Sequence, residues 1–175
     1  MPVLDYVHNK CLTLQSYTLS IGHCNALGKA FEHFKDFINR AIFDNCGIDD
    51  KEFASILRGI QKLRDFKKII YRYNVFSEES LIEFRNLLKR KIPNHLEEMR
   101  LENCKIEPAT TTRLLEAMLD KCFLKKVALV NCNLTAESLD LLRELLQKSS
   151  YIEEIDITWN YLKPINYASF IDELA

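Results

Sequence analysis

The chain of 175 residues is 47% hydrophobic and 28% charged, a balance that fits one globular domain and not a disordered segment. Its 24 basic and 25 acidic side chains leave a formal net charge of −1, so the molecule as a whole has no attraction for nucleic acid or an anionic membrane. No apolar run approaches the roughly 18 residues that span a bilayer, and Met1 to Lys10 carries Asp5 and His8 where a signal peptide would be continuously apolar, which makes the cytosol the expected compartment.

Residues 1–15 follow no clear period, and Leu4, Tyr6, Val7, Leu12 and Leu14 are expected either to cap the first strand or to belong to a disordered leader. Leu19, Ile21, Cys24 and Ala26 then give the first and weakest copy of a spacing that returns further on, with Ser16 as its first place. Gly28 to Phe37 sets Phe31, Phe34 and Phe37 at helical spacing, which predicts a first helix with its aromatic face inward. From Ile38 every unit has two halves. The first alternates, as in Ala41-Ile42-Phe43-Asp44, and predicts a short parallel strand with Ala41 and Phe43 inward. The second has helical spacing, as in Phe53, Ile56, Leu57, Ile60 and Leu63.

Five matched places recur in these units. They are Ile38, Ala41, Phe43, Cys46 and Ile48; Phe66, Ile69, Tyr71, Asn74 and Phe76; Leu96, Met99, Leu101, Cys104 and Ile106; Leu124, Val127, Leu129, Cys132 and Leu134; and Ile152, Ile155, Ile157, Asn160 and Leu162. First places at 38, 66, 96, 124 and 152 lie 28, 30, 28 and 28 residues apart. Twelve residues after each stand Asp50, Glu78, Pro108, Ala136 and Pro164, the expected helix starts. Asp49, Ser77 and Thr135 precede three of them as N-caps, and proline at a first helical turn removes an N–H that has no partner there. The 30-residue interval runs through LKRKIPNHL and should lengthen the loop around Pro93; Lys89, Arg90 and Lys91 read as helix-end charges that offset the macrodipole rather than as a binding patch.

This L-x-x-L-x-L-x-x-N/C-x-L spacing resembles the ribonuclease-inhibitor-like class of leucine-rich repeats over residues 16–175, with residues 1–15 left as an N-terminal cap or leader. The resemblance implies an α/β solenoid, a right-handed βα horseshoe segment of about six repeats with parallel strands concave and helices convex. It also implies that Cys24, Cys46, Asn74, Cys104, Cys132 and Asn160 form an inward ladder that hydrogen-bonds the backbone of the turn leaving each strand. Cys104 and Cys132 would then lie on strands about 4.8 Å apart, near enough for a bridge that a reducing cytosol opposes. The last unit ends in Phe170, Ile171 and Leu174 with no further strand, so either its helix is its own cap or another protein covers the stack.

The patterns of common catalytic sites are missing: no Gly-rich phosphate loop, no G-x-S-x-G elbow, no H-E-x-x-H and no C-x-x-C. His8, His23, His33 and His95 are scattered, and His23, Cys24 and His33 lack a fourth zinc ligand. The acid pairs Asp49-Asp50, Glu97-Glu98 and Glu153-Glu154 fall at helix starts or in strand-leading turns, where acids are ordinary. The expectation is a non-enzyme with no cofactor, metal or small-molecule substrate, no nucleic acid and no membrane insertion.

Recognition is expected on the strand face away from the helices. One outward column reads Ser20, Ile42, Ile70, Arg100, Ala128, Asp156; the next reads Gly22, Asp44, Arg72, Glu102, Val130, Thr158; strand ends carry His23, Asn45, Tyr73, Asn103, Asn131 and Trp159. Ile42 beside Ile70 with Tyr73 near them is an apolar departure on a face that should be polar, and Asp44, Arg72, Arg100, Glu102 and Trp159 complete the expected partner-binding set. The competing readings are that the N-terminal segment folds over Ile42 and Ile70, and that Trp159 packs on the next turn, as in the LSWN segments of this repeat class. The function expected is a scaffold or adaptor subunit of a larger cytoplasmic, cytoskeletal or ciliary assembly, since tropomodulin-like actin-capping domains and ciliary regulatory-complex proteins use such repeats. The alternative is a GTPase-activating regulator of the Ran type, which would use a strand-end Asn such as Asn103 or Asn131.

Overall fold

The computed structural model describes residues 6–93, 95–120 and 123–172. Asn9 and Lys10, both in the left-handed region at φ 50° and 61°, form the two-residue turn that joins β1 (Val7–His8) to β2 (Cys11–Gln15). Helix and strand then alternate: α1 (Ile21–His33), β3 (Arg40–Asp44), α2 (Asp50–Ile60), β4 (Lys68–Arg72), α3 (Glu78–Leu88), β5 (Glu98–Glu102), α4 (Pro108–Leu119), β6 (Lys126–Val130), α5 (Ala136–Lys148), β7 (Glu154–Asp156) and α6 (Pro164–Asp172). The result is an α/β fold whose seven-stranded sheet follows sequence order, with β1 antiparallel to β2 and every later neighbour parallel. Ile69 pairs with Ala41 and Met99, and Tyr71 with Phe43 and Leu101, in the register that the 28- and 30-residue intervals predict.

Several helices begin where the sequence provides a side-chain cap. Asp49 and Thr135 accept the N–H of the residue three positions on and are met in return by Glu52 and Ser138, closing capping boxes on α2 and α5. Ser77 makes no such bond. Instead Asp50, from the preceding unit, accepts the N–H groups of Ser77 at 2.8 Å, Glu79 at 2.9 Å and Ser80 at 3.1 Å, placing a carboxylate on the positive end of α3. The core fills the layer between helices and sheet, with Phe53 of α2 stacked on Tyr71 of β4 at 3.7 Å and Phe43 and Phe76 against its edges. The buried Tyr71 hydroxyl donates to the Val75 carbonyl at 2.8 Å, so no polar group is stranded by that packing. Helices α1 and α2 touch through glycine: a Cβ on Gly59 would lie 2.5 Å from the Gly28 backbone.

The start of the chain corrects the sequence-based expectation. The first parallel strand is β2, whose Leu12 and Leu14 pair with Ala41 and Phe43, so the stack begins before residue 16 and the first interval is 29 residues rather than 22. Ser20 is not a strand residue but the N-cap of α1, closed by His23, and a backbone committed to that cap cannot also alternate as a strand. Gly22, His23 and Cys24 are therefore helical, and Thr13, Gln15 and Ser16 occupy the places expected of Ser20, Gly22 and His23. The helix expected over Gly28–Phe37 spans Ile21–His33, which buries Phe31 and leaves Phe37 63% exposed beyond its end. Residues 6–15 extend the sheet edge as a hairpin rather than folding over Ile42 and Ile70.

Burial fades at the other end. Leu124, Val127, Leu129 and Leu134 are buried, but their counterparts Ile152, Ile155, Ile157 and Leu162 are only half-buried, because no unit lies beyond them among the described residues. Leu129→Ala should therefore cost roughly 2–5 kcal/mol in denaturant unfolding, and Ile157→Ala distinctly less. Equal costs would mean that the last unit is as enclosed as the one before it.

Candidate functional site

Six residues that end strands share one conformation. Ser16, Asn45, Tyr73, Asn103, Asn131 and Trp159 all have φ between 51° and 61°, a region that an L-residue enters at a cost of about 1–2 kcal/mol unless something holds it there. What holds the first five is the next strand. Their N–H groups donate to the carbonyls of Asp44 (2.8 Å), Arg72 (3.0 Å), Glu102 (3.1 Å), Val130 (2.8 Å) and Thr158 (3.1 Å) in turn. Asn131 also donates its side-chain amide to Asn103 Oδ1 at 2.9 Å, which engages the two candidates for a GTPase-directed Asn with each other.

Behind this row runs the inward ladder. Asn74 Oδ1 accepts the N–H groups of Cys46 and Ile48 at 3.0 and 3.1 Å, and Asn160 Oδ1 does the same for Cys132 and Leu134 at 2.9 and 3.1 Å. Cys46, Cys104 and Cys132 each donate S–H to a carbonyl of the preceding strand at 3.2 Å, namely Leu14, Tyr71 and Leu101. The thiol thus does the donating half of the carboxamide's task and leaves the accepting half undone. Burial pushes the Cys104 thiol up to about 12 and raises Cys46 and Cys132 as well, so these groups stay protonated and unreactive. All three are free thiols, and the bridge that the strand spacing would allow between Cys104 and Cys132 is not formed. Cys24 belongs elsewhere: it is buried on α1, not on the ladder, while His23 is spent on capping. Among the described residues no three His, Cys, Asp or Glu side chains gather as a metal site.

The open face of the sheet carries the other expected binding residues, and most of them face each other. Arg72 lies 2.7 Å from Glu102 and 3.9 Å from Asp44; Arg100 lies 2.8 Å from Glu98, 2.9 Å from Glu154 and 3.8 Å from Glu102. Ile42 and Ile70 are indeed paired across β3 and β4, but Ile70 is only 6% exposed among these charged neighbours and Ile42 is half-buried. Little of the Ile70 side chain is therefore open to solvent on this face. Tyr73, 57% exposed, lines an open groove with Asn74, Asn103 and Lys105.

A second set of charges leads into the strands. Lys67-Lys68, Glu97-Glu98, Lys125-Lys126 and Glu153-Glu154 occupy the same two places in successive units, so their signs alternate across the sheet. Glu97 is held between Lys67 at 3.2 Å and Lys125 at 3.0 Å, Glu98 meets Lys68 at 2.9 Å, and Glu154 meets Lys126 at 2.7 Å. Hydrogen bonding from Lys125 holds the Glu97 carboxyl below its ordinary 4.5. At Glu98 burial pushes upward but Lys68 and Arg100 outweigh it, and at Glu154 the Lys126 bond again lowers the value. Glu153 makes no ion pair within 4.0 Å among the described residues.

Large exposed apolar side chains occur along the chain, Phe37, Tyr73, Ile82 and Ile92 among them, and among the described residues the two most exposed lie in the last unit. Trp159 is 81% exposed and Tyr161 93%, with Ile165 and Ile171 of α6 also open to solvent beside the half-buried Ile155, Ile157 and Leu162. Of this group the sequence reading singled out Trp159, and Ile171 of the last helix as a place for a covering partner. Tyr161, Ile165 and Ile171 fall outside the five matched places. No protein-family model matches the chain, and no curated protein matches it. Among the described residues no helix is long and apolar enough to cross a membrane.

The carboxyl shifts fix the sign of a pH dependence. Because Glu97 and Glu98 titrate lower in the folded chain than in the unfolded one, their ion pairs contribute fully above about 4.5, and that contribution is lost as pH falls through the lower folded values. Urea midpoints measured from about pH 6 down to about pH 3 should fall for the wild type, and fall less steeply for Glu97→Gln with Glu98→Gln. Parallel curves would show that these pairs carry no linkage.

Proposed function

We propose that this chain is a non-catalytic protein-binding module of the leucine-rich repeat kind, resembling the ribonuclease-inhibitor-like class, that serves as a cytoplasmic scaffold or adaptor subunit. One observation carries the proposal: the unit of β7 and α6 leaves Ile152, Ile155, Ile157 and Leu162 half-buried where the unit before it buries its counterparts, and the same unit carries the exposed Trp159, Tyr161, Ile165 and Ile171. Exposed apolar surface marks interaction sites where it is concentrated, and aromatic side chains are frequent anchors of protein interfaces. The repeat reading is supported by the five matched places and their strand register, and by the alternation of short parallel strands with helices. Of the two surfaces expected, the strand face and the open C-terminal end, the end, which carries Trp159, is favoured over the face, where Arg72, Arg100 and Glu102 are paired with neighbouring charges.

The test is a tagged chain recovered from its native cells in mild salt and sized. Wild type should elute in a stoichiometric complex, and Trp159→Asp with Ile165→Asp should elute alone at 20.5 kDa with an unchanged circular dichroism spectrum. A wild-type chain that elutes alone, or a complex that survives both substitutions, contradicts the proposal.

A further inference from the structure

Every strand junction in the parallel sheet is made in the same way. The carbonyl just before one strand accepts the N–H groups of two consecutive residues of the next: Asn39 from Lys67 and Lys68, Lys67 from Glu97 and Glu98, Glu97 from Lys125 and Lys126, Lys125 from Glu153 and Glu154. At the far end the left-handed residue donates its N–H to the next strand. At β7 both halves of this junction are open. Among the described residues, no N–H reaches the Glu153 carbonyl and no carbonyl meets the Trp159 N–H, while Ile155 and Ile157 stand half-buried between them.

The side chains of the same residue pairs say what kind of strand completes the junction. Lys-Lys at 67 and 68 is met by Glu-Glu at 97 and 98, that by Lys-Lys at 125 and 126, and that by Glu-Glu at 153 and 154. Glu97 is clasped from both sides, whereas Glu153 in the same place is exposed and, among the described residues, makes no ion pair within 4.0 Å. A second copy of the chain does not fit. A two-fold antiparallel pairing of β7 centred on Ile155 would set Glu154 of each copy against Asp156 of the other, acid against acid. The opposite edge of the sheet, β1, offers Val7–His8 and no basic pair.

Building on the reading of this end as a docking surface, we propose that β7 takes a parallel strand from a protein partner whose sequence opens with two consecutive basic residues and continues with alternating apolar ones. The two basic residues donate their N–H groups to the Glu153 carbonyl and set their side chains against Glu153 and Glu154. The alternating apolar side chains cover Ile155 and Ile157, and a carbonyl further along accepts the Trp159 N–H. Main-chain bonding supplies affinity, and the basic pair supplies selectivity.

The chain itself provides the probe. A synthetic peptide of residues 64–75, RDFKKIIYRYNV, carries the required pattern, and a counterpart with glutamate at 67 and 68 differs only in sign. Trp159, the sole tryptophan, reports binding at β7 by its emission. The lysine peptide should shift that emission and bind at least about tenfold more tightly than the glutamate peptide. Glu153→Lys, an exposed substitution whose fold is checked by circular dichroism, should narrow or reverse the preference. Equal affinities, or no binding by either peptide, overturn strand addition by a basic partner. Whether the end docks a protein at all is read separately, from the Trp159→Asp and Ile165→Asp comparison.

Discussion

The fold depends on a bond that no unit can make alone. Each strand ends in a residue turned into the left-handed region, and its N–H, pointed out of its own unit by that turn, is satisfied only by a carbonyl of the next strand. The conformation is ordinary for asparagine, which occupies Asn45, Asn103 and Asn131, and unusual for Tyr73 and Trp159. The turn also frees the chain to cross to its helix, whose start lies five residues on in each of Asp50, Glu78, Pro108 and Ala136. Stacking is thus a condition of the local geometry rather than a later assembly of finished pieces. The same rule singles out Trp159, whose N–H has no next strand among the described residues.

Charge reinforces the direction of the stack. Surface ion pairs contribute little singly, but here the pairs at 67–68, 97–98, 125–126 and 153–154 alternate so that only neighbours in the right order meet opposite charge. A unit displaced by one place would set like against like, so the alternation acts on register more than on total stability. Arg72 and Arg100 with their acids do the same on the open face. A partner approaching that face meets charges that are already paired and must replace those pairs to gain anything. The unspent capacity, apolar and polar alike, lies at the β7 end.

From Ile38 onward the architecture was legible because five places recur at near-constant spacing and the helix starts, with a capping box on α2 and α5 and proline at the start of α4 and α6, fall in the same register, so local and global signals agree. The first unit was not, because Leu12 and Leu14 sit in a stretch without clear period while Ser20 and His23, a capping pair, lie among residues that imitate the repeat. The glycine contact between α1 and α2 left no periodic trace, since Gly28 and Gly59 gain meaning only when the two helices face each other. The burial of Ile70 was not legible for a similar reason. Alternation places it outward between Ile42 and Arg100, yet it is 6% exposed, and burial on that face depends on side-chain rotamers that a spacing rule does not contain. The alternation of Lys-Lys and Glu-Glu was present in the sequence throughout; its significance lay in the cross-strand register.

Native-state hydrogen exchange of the isolated chain compares the open junction with its closed equivalents most directly. The amides of Asn103 and Asn131, bonded to the next strand, should be strongly protected, and the amide of Trp159 should exchange at least about tenfold faster than either. Protection of Trp159 equal to that of Asn131 would show that the junction at β7 is already closed, and would contradict the account of this end as the surface left for a partner.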